Sequence, residues 1–284
     1  MQLVLTLDDR PQILDEIHRR LRGRFGRPGP WLLLDPVSQL IMGMLGGRTH
    51  GEVSKAAFNA LLARFGRWEA VRDAPVAELR EIVAEVTYAE LKAPRIKAAL
   101  QAITASRGRL TLDFLGSLTV DQALIWLERL PGVGRKVAAA TLNFSTLRRA
   151  ALVIDTHHLR VLRRLGLIDR RAGTVEAYDR LVPLLPGGWT AADLDEHHQL
   201  MKALGQTNCR HAFPICRRCP LRDLCPTAAA GPGRSRRADA LSAIEGESSN
   251  SASKRSLPSG AEQTTRHGGR HWSLAHREKP LPER

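Results

Sequence analysis

Apolar side chains recur along this chain at three- and four-residue intervals, and runs that alternate apolar with polar residues are nearly absent, so its core has to be built from packed helices. Asp35-Pro36 supplies a cap and a first helical residue, after which Val37, Leu40, Ile41, Met44 and Leu45 fall on one face. Gly46-Gly47 follows, and this buried helix is predicted to end near Arg48. Similar stripes run through Leu79, Ile82, Val83 and Val86, through Ile96, Ala99, Leu100 and Ile103, and through Leu159, Leu162 and Leu165. An all-α protein of about ten helices is expected, and these stripes are assigned to packing alone.

A chain of 284 residues can bury its own core without disulfides or oligomerisation, so a monomer is expected. Its net charge of +14 favours a polyanionic partner. No segment approaches the roughly 20 apolar residues that cross a bilayer, and no secretory signal opens the sequence, so no membrane role is expected. From Pro226 onward the composition shifts to Ala, Gly, Ser, Pro, Arg and Glu, which predicts a disordered basic tail over 227–284. Residues 1–225 still carry 33 Lys and Arg against 23 Asp and Glu, so the positive charge belongs to the folded body.

A helical stretch through Val120, Ala123, Leu124 and Leu127 runs into Leu130-Pro131-Gly132-Val133-Gly134-Arg135-Lys136, and Val137 to Phe144 reads as a second helix. Proline stops the first helix, and the two glycines are expected to free the backbone so that amides from Gly132, Val133, Gly134 and Arg135 converge on a phosphate. The start of the second helix adds unpaired donors and a positive dipole end, an anion site that reads no base sequence. Lys136 lies in that first turn. Nineteen residues on, Val153-Ile154-Asp155-Thr156-His157 delivers a carboxylate just before another helix. An amine beside an acid suits Schiff-base chemistry at a sugar carbon if desolvation keeps the amine partly neutral. Asp155 equally suits capping of the helix that follows it.

All four cysteines, Cys209, Cys216, Cys219 and Cys225, fall within 17 residues in the pattern C-x6-C-x2-C-x5-C. That is too local to staple distant elements and has the look of a metal site, with zinc and [4Fe–4S] both open on spacing alone. Free thiols of this kind imply a reducing compartment, and the cytoplasm is the expected location, at the nucleoid if the cell is bacterial.

These three motifs, in this order and at these distances, resemble endonuclease III and its relatives, the helix–hairpin–helix DNA glycosylases with an iron–sulfur cluster. The resemblance covers residues 12–226. It implies two helical domains flanking a DNA-binding cleft. A central barrel over 31–150 would hold the hairpin at 120–147, and the N-terminal helix within 1–30 would join a C-terminal domain over 151–226. It also implies that the four cysteines hold [4Fe–4S], that duplex DNA with damaged bases or abasic sites is the partner, and that Lys136 attacks C1′ of the deoxyribose with help from Asp155. Base release followed by β-elimination is then expected, on oxidised pyrimidines.

One departure from the family stands out. Gly46-Gly47-Arg48-Thr49-His50-Gly51 replaces a Ser-Ala-Gln-Ala-Thr-Asp stretch, so Arg48 stands where the family has the glutamine that fills the gap left by the flipped base. Arginine can wedge and donate there, with different hydrogen bonds. A monofunctional glycosylase for another lesion or mismatch is the alternative within enzymes. A non-catalytic DNA-binding module is the alternative outside them, although that role would need neither Lys136 nor Asp155.

Overall fold

Asp35 closes the start of a helix as its place before Pro36 implies, its Oδ1 accepting the amides of Val37 and Ser38, both at 3.0 Å. The computed structural model describes residues 10–29 and 31–231. Among these the chain is helical, and one isolated bridge between Leu34 and Ser145 stands in place of any sheet. Twelve α-helices follow in order: α1 (Arg10–Phe25), α2 (Pro36–Leu45), α3 (Gly51–Phe65), α4 (Trp68–Asp73), α5 (Val76–Ile82), α6 (Ala89–Arg107), α7 (Val120–Glu128), α8 (Arg135–Asn143), α9 (Thr156–Arg164), α10 (Thr174–Leu181), α11 (Ala191–Thr207) and α12 (Pro226–Ala230).

Helix α2 is too short to persist by itself, since isolated helices under about 12 residues are marginal in water. Burial holds it. Val37, Leu40, Ile41, Met44 and Leu45 are each at most 5% exposed, and side chains of this size contribute about 1.5–3 kcal/mol apiece when fully buried. It lies across α8, with α3 and α6 on its other sides, while α4 and α5 pack on α6. The α2–α8 crossing is close because Gly43 has no side chain: a Cβ there would stand 3.1 Å from Val137 Cγ1. A second group joins α9 to α11, α11 to α1, and α11 to α8. Gly205 lets α11 approach α9 closely, since a Cβ there would stand 2.7 Å from His157 Cβ.

Three details differ from the sequence reading. Helix α2 ends at Leu45 rather than near Arg48, because the Gly46-Gly47 pair opens a turn in which the Thr49 amide donates to Gly46 O at 3.3 Å. Val83 and Val86 are buried beyond the end of α5, so the apolar period there continues through a turn. Residues 226–230, the start of the stretch read as tail, form α12, with Pro226 at its first turn and Thr227 Oγ1 donating to Arg164 O at 2.8 Å. The remainder of the expected tail lies outside the described residues. Among those that are described, no helix is long and apolar enough to cross a membrane.

Candidate active site at the hairpin and the α9 cap

The hairpin sits between α7 and α8 where it was read. Thr119 and Gln122 form a reciprocal capping box that starts α7. After α7 the chain turns tightly, with the Val133 amide donating to Leu130 O at 3.1 Å and the Val133 side chain buried. Gly132 has φ +79°, and a Cβ on it would stand 2.9 Å from Arg95 Cδ, so glycine is required there. Gly134 does not need its freedom: its φ is −110°, open to any residue, and a Cβ would meet nothing within 4 Å. What Gly134 supplies is bare surface at the start of α8. No side chain caps that helix, so the amides of Arg135 and Lys136, which helix geometry leaves without internal partners, remain free to hold an anion. The Arg135 guanidinium turns back into the fold, pairing with Glu128 and with Asp179 at 3.1 Å and lying 4.8 Å from the Tyr178 ring. At the hairpin, therefore, the main chain rather than this arginine is presented outward.

Lys136 is half-buried in the first turn of α8. Burial lowers its proton affinity from the usual 10.5, Asp155 opposes that shift, and Lys202 on α11 adds to it. Asp155 caps α9, its Oδ1 accepting the His158 amide at 2.8 Å. Burial works against its ionisation, but the His198 ring wherever it is protonated, together with the His158 amide, outweighs burial and holds the carboxyl below its usual range. Both rings donate through Nδ1 to Val153 O, His198 at 2.8 Å and His158 at 3.2 Å. Burial pushes His158 down to about 4 and His198 to about 3, which makes both neutral at pH 7. The two residues expected to act together thus share one electrostatic environment: an amine eased toward neutrality and an ionised carboxylate.

Arg48 is exposed, has φ +56°, and donates from Nη1 to the Tyr88 hydroxyl at 3.4 Å. Sequence reasoning passed over four residues at this site. Lys202 and Lys92 are ordinary helix lysines by sequence, and His158 and His198 lie on helices whose apolar spacing hides them. Only the doubled histidines, His157-His158 and His197-His198, hinted at anything more. Lys92, on α6, has its amine lowered to about 8 by burial and by Lys136 nearby.

The four cysteines are free and half-buried. Burial, with the charges of the other three thiols adding to it, pushes Cys219 up to about 11. Four soft donors that disfavour one another's ionisation fit a site completed by a strongly cationic group. Among the described residues, no three His, Cys, Asp or Glu side chains are already gathered at metal-ligand spacing. The loop is tied to the far end of α9. Arg160 Nε donates to Cys209 O at 2.8 Å, and Arg164 donates to Arg210 O at 2.7 Å and His211 O at 2.9 Å.

A half-buried lysine in the first turn of a hairpin's second helix, with a carboxylate capping the next helix close enough to influence it, defines a recognisable class of repair protein. Residues 41–186 match the HhH-GPD superfamily of base excision DNA repair proteins, and the chain belongs to that superfamily. Endonuclease III of Thermotoga maritima is 27% identical over 215 residues, which span 75% of this chain and 92% of that protein. Endonuclease III-like protein 1 of Gallus gallus is 28% identical over 186 residues, 65% of this chain and 62% of the relative. An Arabidopsis thaliana relative, 29% identical, is spanned over only 50% of its length. A trapped covalent endonuclease III–DNA intermediate shares the fold with TM-score 0.65 at 22% identity, covering 80% of this chain and 99% of that one. A thermostable thymine-DNA glycosylase does so with TM-score 0.63 at 18% identity, over 79% and 98% respectively.

Proposed function

We propose that this protein is a base-excision DNA glycosylase with AP-lyase activity, acting on oxidised pyrimidines in duplex DNA. The observation that carries the reading is Lys136, an amine of lowered proton affinity in the first turn of α8, set between the bare hairpin amides and the Asp155 cap. Hairpin amides hold a backbone phosphate. With the target base displaced, Lys136 Nζ attacks C1′, the N-glycosidic bond breaks, and the base departs with the bonding pair and a proton. Asp155 stabilises positive charge on the sugar and passes the proton shed by the amine to the departing base. Ring opening leaves a Schiff base between Nζ and C1′. Loss of a C2′ proton then expels the 3′ phosphate, and water returns the free amine. Cys209, Cys216, Cys219 and Cys225 would hold a [4Fe–4S] cluster, whose contribution when bound is to order the loop that grips the end of α9.

Lys136→Gln tests this directly, because glutamine keeps length and polarity but forms no Schiff base. On duplexes carrying one defined oxidised pyrimidine, the variant is expected to lose both strand cleavage and the borohydride-trapped adduct. Undiminished trapping would refute Lys136 as nucleophile. A second reading, a monofunctional glycosylase for another lesion or a mismatch, is favoured by Arg48 in place of the family glutamine. In that case wild-type protein would release the base and give no trapped adduct.

A further inference from the structure

Lys92 takes no part in the steps above, yet its amine is fully engaged. Its Nζ donates to Leu45 O at 2.7 Å, to Gly47 O at 2.5 Å and to Thr49 Oγ1 at 3.0 Å. Three acceptors match the three protons of an ammonium ion. Leu45 O belongs to the last turn of α2 and Gly47 O to the turn that follows. Carbonyls at a helix end lack internal partners and carry the negative end of the dipole, which favours a cation. The third acceptor belongs to the residue after Arg48.

Arg48 therefore sits between two residues tied to the same ammonium, in a left-handed conformation that side chains of its kind rarely adopt. The same α2 reaches Lys136 from its other end of contact. Gly43 meets Val137, the neighbour of Lys136, and the carbonyls held by Lys92 follow within about one helical turn.

We propose that Lys92 is a positioning residue whose ammonium clamps the Gly47–Thr49 turn to α6 and so holds Arg48 in register with Lys136 for insertion into the space a displaced base leaves. The proposal rests on the repair reading given above. If Arg48 works only from a clamped turn, removing the clamp and removing Arg48 are one lesion, not two.

The test compares wild type, Lys92→Met, Arg48→Ala and the double variant in two single-turnover assays. One measures base release from an intact oxidised pyrimidine, the other cleavage of a preformed abasic site, where no base has to be displaced. Lys92→Met is expected to slow base release by about tenfold or more, to slow abasic cleavage far less, and to add less than about twofold when Arg48 is already alanine, since sites acting through one another are not additive. Equal losses on the two substrates, or a full loss in the Arg48→Ala background, would overturn it. Thr49→Val removes one acceptor and leaves Lys92 intact, and it should give the same pattern more weakly should Lys92→Met fold poorly. Hydrogen exchange at the 46–50 amides reads the clamp without any chemistry. Faster exchange confined to that turn in Lys92→Met is expected, and unchanged exchange refutes the clamp. Wild-type protein that neither releases a base nor cleaves an abasic site would defeat the repair reading instead, and the exchange result would still decide the clamp.

Discussion

Gly205 stands where α11 crosses α9, and a single methyl group there probes what holds Asp155 in place. A Cβ would lie 2.7 Å from His157 Cβ, 3.2 Å from its Cα and 3.3 Å from Arg160 Nη2. Carbon atoms pack at about 3.5–4.0 Å, so the two helices have to separate by roughly 1 Å. Overpacking of this sort costs about 1–3 kcal/mol, and alanine recovers about 1 kcal/mol of helix propensity over glycine. The net loss of about 0–2 kcal/mol corresponds to a fall in Tm of at most roughly 8 °C for a domain of this size. Activity should suffer more than stability. His157 is two residues beyond Asp155, so α9 carries the carboxylate with it, and a misplacement of about 1 Å can cost about 10²-fold in rate. Urea unfolding of Gly205→Ala gives the stability term, and single-turnover abasic cleavage well below its Tm gives the other. A variant that is destabilised as expected but cleaves at the wild-type rate would refute the claim that the α9–α11 contact sets the position of Asp155.

Two further outcomes are expected. Protein made with adequate iron should be brown, and Cys216→Ser should lower both iron content and solubility, because an incomplete thiolate set forfeits binding energy coupled to ordering of the loop; colourless wild-type protein holding one zinc at full activity would overturn the iron assignment. The buried histidines should make the fold acid-sensitive. Their affinities are depressed from the usual 6.5 to about 4 in His158 and about 3 in His198, so the unfolded chain binds more protons between those values and stability falls as pH drops below about 6.5. Tm measured from pH 7 to 4 should decline less steeply in His158→Phe than in wild type, and identical slopes would mean that His158 does not titrate across unfolding.

The helices were legible because burial follows period: the stripe from Val37 to Leu45 and the stripe in α6 are both inside, and Asp35, Pro36 and the hairpin glycines are local signals with local causes. Helix ends were less legible. The turn that follows α2 is tied to a Lys92 ammonium 47 residues away in sequence from Leu45, and no window around Gly46 contains it. The same limit applied to the site. Lys136 and Asp155 could be read because motifs mark them, whereas Lys92, Lys202 and His198 reach the same place from α6 and α11 by tertiary packing alone. Arg135 divides the same way: its amide stays at the open start of α8 as its place in the hairpin implies, while Glu128 and Asp179, which no local pattern announces, turn its guanidinium inward.

Both groups proposed to react stand beside a helix crossing that a glycine makes possible. Lys136 precedes Val137, which meets α2 at Gly43, and Asp155 precedes by two residues His157, which meets α11 at Gly205. Helix α11 touches α8 as well as α9, so the two crossings are linked through the α8–α11 contact. The backbones that carry the amine and the carboxylate are thereby held by contacts to Val137 Cγ1 and His157 Cβ, atoms with little rotamer freedom. The far end of α9 is pinned too, because Arg160 and Arg164 spend their donors on carbonyls of Gly205 and of the cysteine loop. Gly205 is the close crossing next to Asp155 on α9, so a shift of the helix's far end is expected to turn about it. Disturbance in the cysteine loop should therefore reach the carboxylate as a small rotation of α9, with the hairpin and its phosphate site left in place.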